Sequence, residues 1–157
     1  MSSKTNAIRL VEAAGIPVKE HFYEFDDRDL NGNHAAKAIG MPPEQVFKTL
    51  VARGMKTGIN VFCIPVCCEL DLKKAAKAAR DKNMELIPVK ELLSLTGYIR
   101  GGCSPVGMKK KYPTYMDETA VLWDVIAVSA GERGHQMVVP SEALAELVDA
   151  KLCDIIL

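Results

Sequence analysis

The chain is expected to fold as an α+β domain: a mixed, largely antiparallel sheet, curled or closed into a partial barrel, with short flanking helices. Two observations lead there. Short apolar runs of strand character recur between brief helical patterns, and no repeat, low-complexity tract or linker separates them. No strand runs through a glycine-rich turn into a helix, so the dinucleotide-binding and P-loop patterns are absent.

The elements follow in order. Thr5 caps a helix carrying Ile8, Leu10, Val11 and Ala14, which Gly15 and Pro17 end. Residues 19–25 alternate, with His21, Tyr23 and Phe25 on one side and Phe22 and Glu24 on the other, which is a strand by period. A polar connection over 26–33 leads to a short helix ending at Gly40. Pro42, Pro43 and Glu44 open a helical turn, and residues 46–52 enter a strand. Residues 53–58 form a hairpin connection to the returning strand 59–66.

Asp71 starts the best helix, with Leu72, Ala75, Ala76 and Ala79 as its apolar stripe. Lys73, Lys77 and Arg80 share another face, either a solvated surface or a basic flank for a nucleic-acid backbone. Residues 89–95 make a further helix ending at Gly97. Strands are expected at 114–116, 125–129 and 136–139, the last two joined through 130–134. A final helix runs from Pro140 to Val148, and 152–157 adds a last short strand.

With 157 residues, 48% hydrophobic, the chain reads as one compact soluble domain spanning 1–157. No run approaches the roughly 20 apolar residues of a membrane span, and residues 1–6 lack a signal-peptide core, so a cytoplasmic protein is expected. The five cysteines include no C-x-x-C pair, and adjacent Cys67 and Cys68 are poorly placed for a disulfide. Cys63 and Cys67 are expected in or beside the core. His21, His34 and His135 are scattered, so neither a metal site nor any cofactor is expected. A formal net charge of zero fits a small polyanionic contact better than a long duplex.

The segment Gly101-Gly102-Cys103-Ser104-Pro105-Val106-Gly107 carries the most information. Its glycines allow close backbone approach, and Pro105 stiffens it, so its amides could face a phosphate or an oxyanion. An ordinary tight turn is the competing reading. Lys109, Lys110 and Lys111 add positive potential just beyond it. Lys48, flanked by Phe47 and Leu50, is either a strand-edge lysine reaching solvent or a fixed cation for a phosphate or ester carbonyl. Taken alone, Tyr23 reads as core. There is no G-x-S-x-G elbow, no H-E-x-x-H and no local Ser-His or Cys-His pair.

Five segments taken in order resemble the YbaK/EbsC family, free-standing relatives of the editing domain of bacterial prolyl-tRNA synthetases. They are Val46-Phe47-Lys48-Thr49-Leu50, Leu70-Asp71-Leu72-Lys73-Lys74-Ala75, Thr96-Gly97-Tyr98, the glycine segment above, and Gly131-Glu132-Arg133-Gly134. The resemblance runs from about Ile8 to Asp154. It implies a trans-editing aminoacyl-tRNA deacylase, with cysteine on tRNA(Pro) as the first substrate, in which the cysteinyl thiol attacks its own ester and leaves as a thiolactone. Such a site needs no protein nucleophile, because a held intramolecular attack has a very large effective molarity. The resemblance implies Lys48 and Gly101 as catalytic, with Lys48 anchoring the terminal adenosine or its phosphate. It implies Tyr23, Thr49, Gly102, Ser104, Pro105, Gly107 and Gln136 as substrate-binding. It also implies the aminoacyl-tRNA 3′ end and, transiently, prolyl-tRNA synthetase as partners.

Two departures stand out: His135 replaces a leucine and Gln136 an acid that many members carry, which bears on specificity. The competing functions are a non-catalytic module gripping a tRNA 3′ end or nucleotide, and a deacylase of another amino acid such as alanine.

Overall fold

A computed structural model describes residues 4–157; Met1 to Ser3, part of the N-terminal segment considered above, lie outside them. Helix α1 (Asn6–Ala13) is capped by Thr5, whose hydroxyl oxygen accepts from the Ile8 amide at 3.2 Å. The same hydroxyl donates to the Ala130 carbonyl at 2.6 Å, which ties the cap to a distant strand. Ala7, Ile8 and Val11 are buried, whereas Leu10, expected on the apolar face, is exposed. Strand β1 (Lys19–Phe22) stops three residues earlier than its alternation predicts. The Asp26 carboxylate takes the Arg28 amide at 2.9 Å, and this turn bends the chain away. Helix α2 (Gly32–Ile39) is capped by Asn31 and ended by a left-handed Gly40.

Strands β2 (Phe47–Gly54) and β3 (Gly58–Pro65) form the expected antiparallel hairpin, with a connection of only Met55, Lys56 and Thr57. Asp81 holds that connection by accepting from the Lys56 and Thr57 amides and the Thr57 hydroxyl. Helix α3 (Leu72–Ala78) begins at its Asp71 cap and buries Ala75 and Ala76 with Ala79 just beyond; Leu72, expected on the stripe, is exposed. Then come β4 (Glu85–Leu86), α4 (Leu92–Thr96), β5 (Thr114–Asp117), β6 (Val125–Glu132), β7 (His135–Pro140), α5 (Ser141–Leu147) and β8 (Ala150–Cys153).

The strands make two sheets that do not close into a barrel. One is antiparallel, in the order β1-β7-β6; the other is mixed, in the order β4-β2-β3-β5-β8, with β3-β5 and β5-β8 parallel. Among the described residues, one bridge, between Val46 and Ala127, joins them. Strand β3 is buried on both faces: Cys63 packs with α1 and β6, while Phe62 and Ile64 pack against the alanines of α3. That explains its uninterrupted apolar run, since only a strand covered on both sides favours apolar residues at successive positions. Cys67 lies just past the strand end and is exposed, contrary to its expected place beside the core.

Candidate active site

Where the two sheets meet, a cavity of about 550 Å³ opens between the start of β2, the 23–34 connection, the Arg133-Gly134 turn and the first residues of the glycine segment. This lies within the range of about 300–1,000 Å³ typical of small-molecule sites. Lys48 and Thr49, the second and third residues of β2, reach it two and three positions past the Val46 bridge between the sheets. Thr49 sits opposite Cys63, with Oγ1 3.8 Å from the thiol. Lys48 lines the cavity and has no ion-pair partner among the described residues. Burial and Cys67 push the Cys68 thiol pKa up, and the nearby Lys48 ammonium pulls against them.

Tyr23 lines the opposite wall, held by its amide to the Gly134 carbonyl at 2.9 Å and edge-on to His34 with ring centres 6.5 Å apart. Gln136 joins this wall from β7, where it pairs with Ser129 and His21. It is 93% buried by its 7% exposure, and its Oε1 has no hydrogen-bond partner among the described residues. The neighbouring His135 faces away, its ring nitrogens 2.9 Å from Glu20 and 2.7 Å from Glu132, and stacks on Phe22.

The glycine segment divides. Gly101 and Cys103 line the cavity, whereas Gly102, Ser104, Pro105 and Gly107 do not and are packed against their own chain. A Cβ on Gly102 would sit 3.0 Å from the Glu132 backbone, and one on Gly107 2.9 Å from Asn6. The closeness these glycines permit is therefore to β6 and α1. Ser104 is fully buried, and its hydroxyl accepts from the Val106 amide at 3.2 Å. Thr96-Gly97-Tyr98 braces the segment from outside: Thr96 takes the Tyr98 amide, and the Tyr98 hydroxyl donates to the Val106 carbonyl.

Sequence reasoning missed three further cations on the walls: Arg28 and Arg133, which are ion-paired to Asp26 and Asp27, and Arg100, which with Lys48 has no ion-pair partner among the described residues. Arg133 lies inside the Gly131-Glu132-Arg133-Gly134 segment and Arg100 just before the glycine segment; Arg28 carries no signal in a run of aspartates. Among the described residues, no serine or cysteine is hydrogen-bonded to a histidine. Burial pushes the Cys103 thiol up to about 12. The site thus presents cations, backbone amides and an apolar floor, and it holds no activated nucleophile.

The family model for the aminoacyl-tRNA editing domain matches residues 33–147. The chain belongs to the aminoacyl-tRNA editing-domain family. An Enterococcus faecalis protein provisionally named Cys-tRNA(Pro)/Cys-tRNA(Cys) deacylase EbsC is 45% identical over 152 residues, which span 97% of this chain and 93% of that protein. A solved structure described as a candidate trans-editing enzyme for prolyl-tRNA synthetase superposes with a TM-score of 0.82 at 25% identity, covering 99% of both chains. Another, described only as a hypothetical protein, reaches a TM-score of 0.88 at 19% identity over 98% of this editing domain and 100% of its own chain, and shows the shared fold alone. No helix of the described residues is long and apolar enough to cross a membrane.

Proposed function

We propose that the chain is a single trans-editing domain, cytoplasmic, that removes mischarged amino acids from aminoacyl-tRNA, with cysteine on tRNA(Pro) as the leading substrate. The observation that carries this reading is a cationic cavity, built by an editing-domain chain, with the unpaired Lys48 on one wall and Gly101 on another and no activated nucleophile between. A tRNA 3′ end is a polyanion ending in an ester, so the unpaired cations Lys48 and Arg100 suit its phosphates. The Lys48 ammonium suits the terminal adenosine or its phosphate. The Gly101 amide suits the ester oxygen as negative charge develops there. Thr49 and Tyr23 complete the walls around the aminoacyl group.

Cleavage then uses the substrate's own thiol. The cysteinyl sulfur gives up its proton and attacks the ester carbonyl, forming a C–S bond. The ester C–O bond breaks, the ribose oxygen takes up a proton, and a cyclic thiolactone leaves. The protein holds the pose, and an intramolecular attack so held gains the advantage of a very large effective concentration. The likeness to a structure described in connection with prolyl-tRNA synthetase supports that synthetase as a transient partner, delivering a tRNA that a chain of zero net charge would bind weakly alone.

Deacylation of Cys-tRNA(Pro), Ala-tRNA(Pro) and Pro-tRNA(Pro), with wild type and Lys48→Ala side by side, tests the reading. Selective loss of the cysteinyl ester, abolished in the variant, is expected. Alanine is the second reading, and turnover of the alanyl ester would discard the thiol mechanism. Binding without turnover of any ester would leave a tRNA-gripping module.

A further inference from the structure

Arg133 lines the cavity, yet its guanidinium is already engaged. Its Nε donates to the Arg100 carbonyl at 2.8 Å and its Nη1 to the Asp27 carboxylate at 3.0 Å. The side chain is only 25% exposed, far less than the surface cations of the other ion pairs such as Arg28 at 90%. The Arg100 carbonyl belongs to the same peptide group as the Gly101 amide. That peptide is trans, so its C=O and N–H point in opposite directions. A cation on the carbonyl therefore orients the Gly101 N–H away from Arg133, and by drawing electron density toward the oxygen it makes that N–H a stronger donor. The Gly101 amide finds no acceptor among the described residues, while the next amide, Gly102, closes the turn onto Ile99 at 2.9 Å. Gly101 has φ +86°, and a Cβ there would meet Leu30 at 3.1 Å and Arg133 at 3.4 Å, so the peptide is wedged against the arginine stem.

We propose that Arg133, held by Asp27, is a positioning residue for deacylation: it polarises and aims the Gly101 amide through the Arg100 carbonyl. The inference rests on the deacylase reading above only for its consequence in turnover. Phosphate binding by Arg133 is the rival, and it predicts different kinetics.

Two measurements test it. In steady-state deacylation of Cys-tRNA(Pro), Arg133→Ala should lower kcat by about 10- to 100-fold, somewhat less than deleting an oxyanion donor outright, with KM nearly unchanged. Added guanidinium at millimolar concentration should restore part of kcat, and urea, its neutral shape mimic, should not. Arg133→Lys keeps the charge and the stem but cannot make both contacts, and should fall in between. In the free protein, the 15N resonance of Gly101 should move upfield in Arg133→Ala and return with guanidinium. A raised KM with a shallower salt dependence and intact kcat would overturn the proposal in favour of a phosphate contact. An unmoved Gly101 resonance would overturn it whether or not the wild type deacylates. Absence of wild-type turnover with the resonance shift present would instead sink the deacylase reading alone.

Discussion

The carbonyl of Gly134 accepts the Tyr23 amide at 2.9 Å, and a Cβ on Gly134 would lie 2.7 Å from the Tyr23 carbonyl oxygen. One residue thus brings the cavity's tyrosine wall against the hairpin turn that also carries Arg133. Its φ of +72° is one that side chains rarely adopt. Gly134→Ala should cost about 1–3 kcal/mol from backbone strain, with the clash against Tyr23 and Phe25 adding to it. Urea unfolding measures this, and an unshifted midpoint would show that neither the left-handed backbone nor the close approach of Tyr23 and Phe25 constrains this position.

Ser104→Ala separates structural from substrate-facing roles in the glycine segment. The hydroxyl is buried and serves the Val106 amide, so its loss strands a buried donor at a cost of about 1–3 kcal/mol. The kcat per folded molecule should stay near wild type. A drop in kcat comparable with that of Lys48→Ala would place this hydroxyl at the substrate instead.

Thiol labelling should follow burial. Burial pushes Cys63 and Cys103 each up to about 12, so neither is appreciably ionised at pH 8. Cys67, exposed beyond the end of β3, should react with iodoacetamide first, and Cys63 and Cys103 last. Peptide mass spectrometry over a time course reads the order. Early modification of Cys103 would mean that the cavity activates this thiol after all.

The Asp81 carboxylate anchors the β2–β3 hairpin. Desolvation pushes its pKa up, but the Thr57 hydroxyl and the Thr57, Lys56 and Lys82 amides together outweigh that and hold it well below its ordinary 3.8. A carboxylate with a lowered folded-state pKa stabilises above its unfolded value and loses that contribution as pH falls through the folded one. Asp81→Asn should therefore melt below wild type at neutral pH, with the gap narrowing steadily in acid below 3.8. A gap independent of pH would mean that shape rather than charge does the anchoring.

Caps and periodicities made much of the local structure legible. Thr5 and Asp71 start helices where their side chains can take a free amide, and Gly40 and Gly97 end α2 and α4 in left-handed backbone; the Asn31 cap of α2, inside the polar 26–33 connection, was not legible. The β2–β3 hairpin was legible for the same reason: its partners are adjacent in the chain. Parallel pairing of β3 with β5 was not, because about fifty intervening residues leave no local trace of which strand returns to which. The two-residue β4 was too short to show a period at all.

By itself the sequence determined the α+β class, the positions of most elements and the prominence of the glycine segment, because these depend on residue type and on neighbours a few positions away, whereas Lys48 and Tyr23 were assigned to the site only through the resemblance of five ordered segments. Only the tertiary structure decided that Gly101 faces the cavity while Gly102, Ser104, Pro105 and Gly107 face the protein's own core, that Leu72 and Cys67 are exposed, and that Arg28, Arg100 and Arg133 join Lys48. A glycine that admits a ligand and one that admits another strand look alike in sequence. What distinguishes them is the neighbour brought there by contacts such as Arg133 with Arg100, 33 residues apart, and Arg133 with Asp27, 106 apart, which are specified by packing rather than by any local pattern.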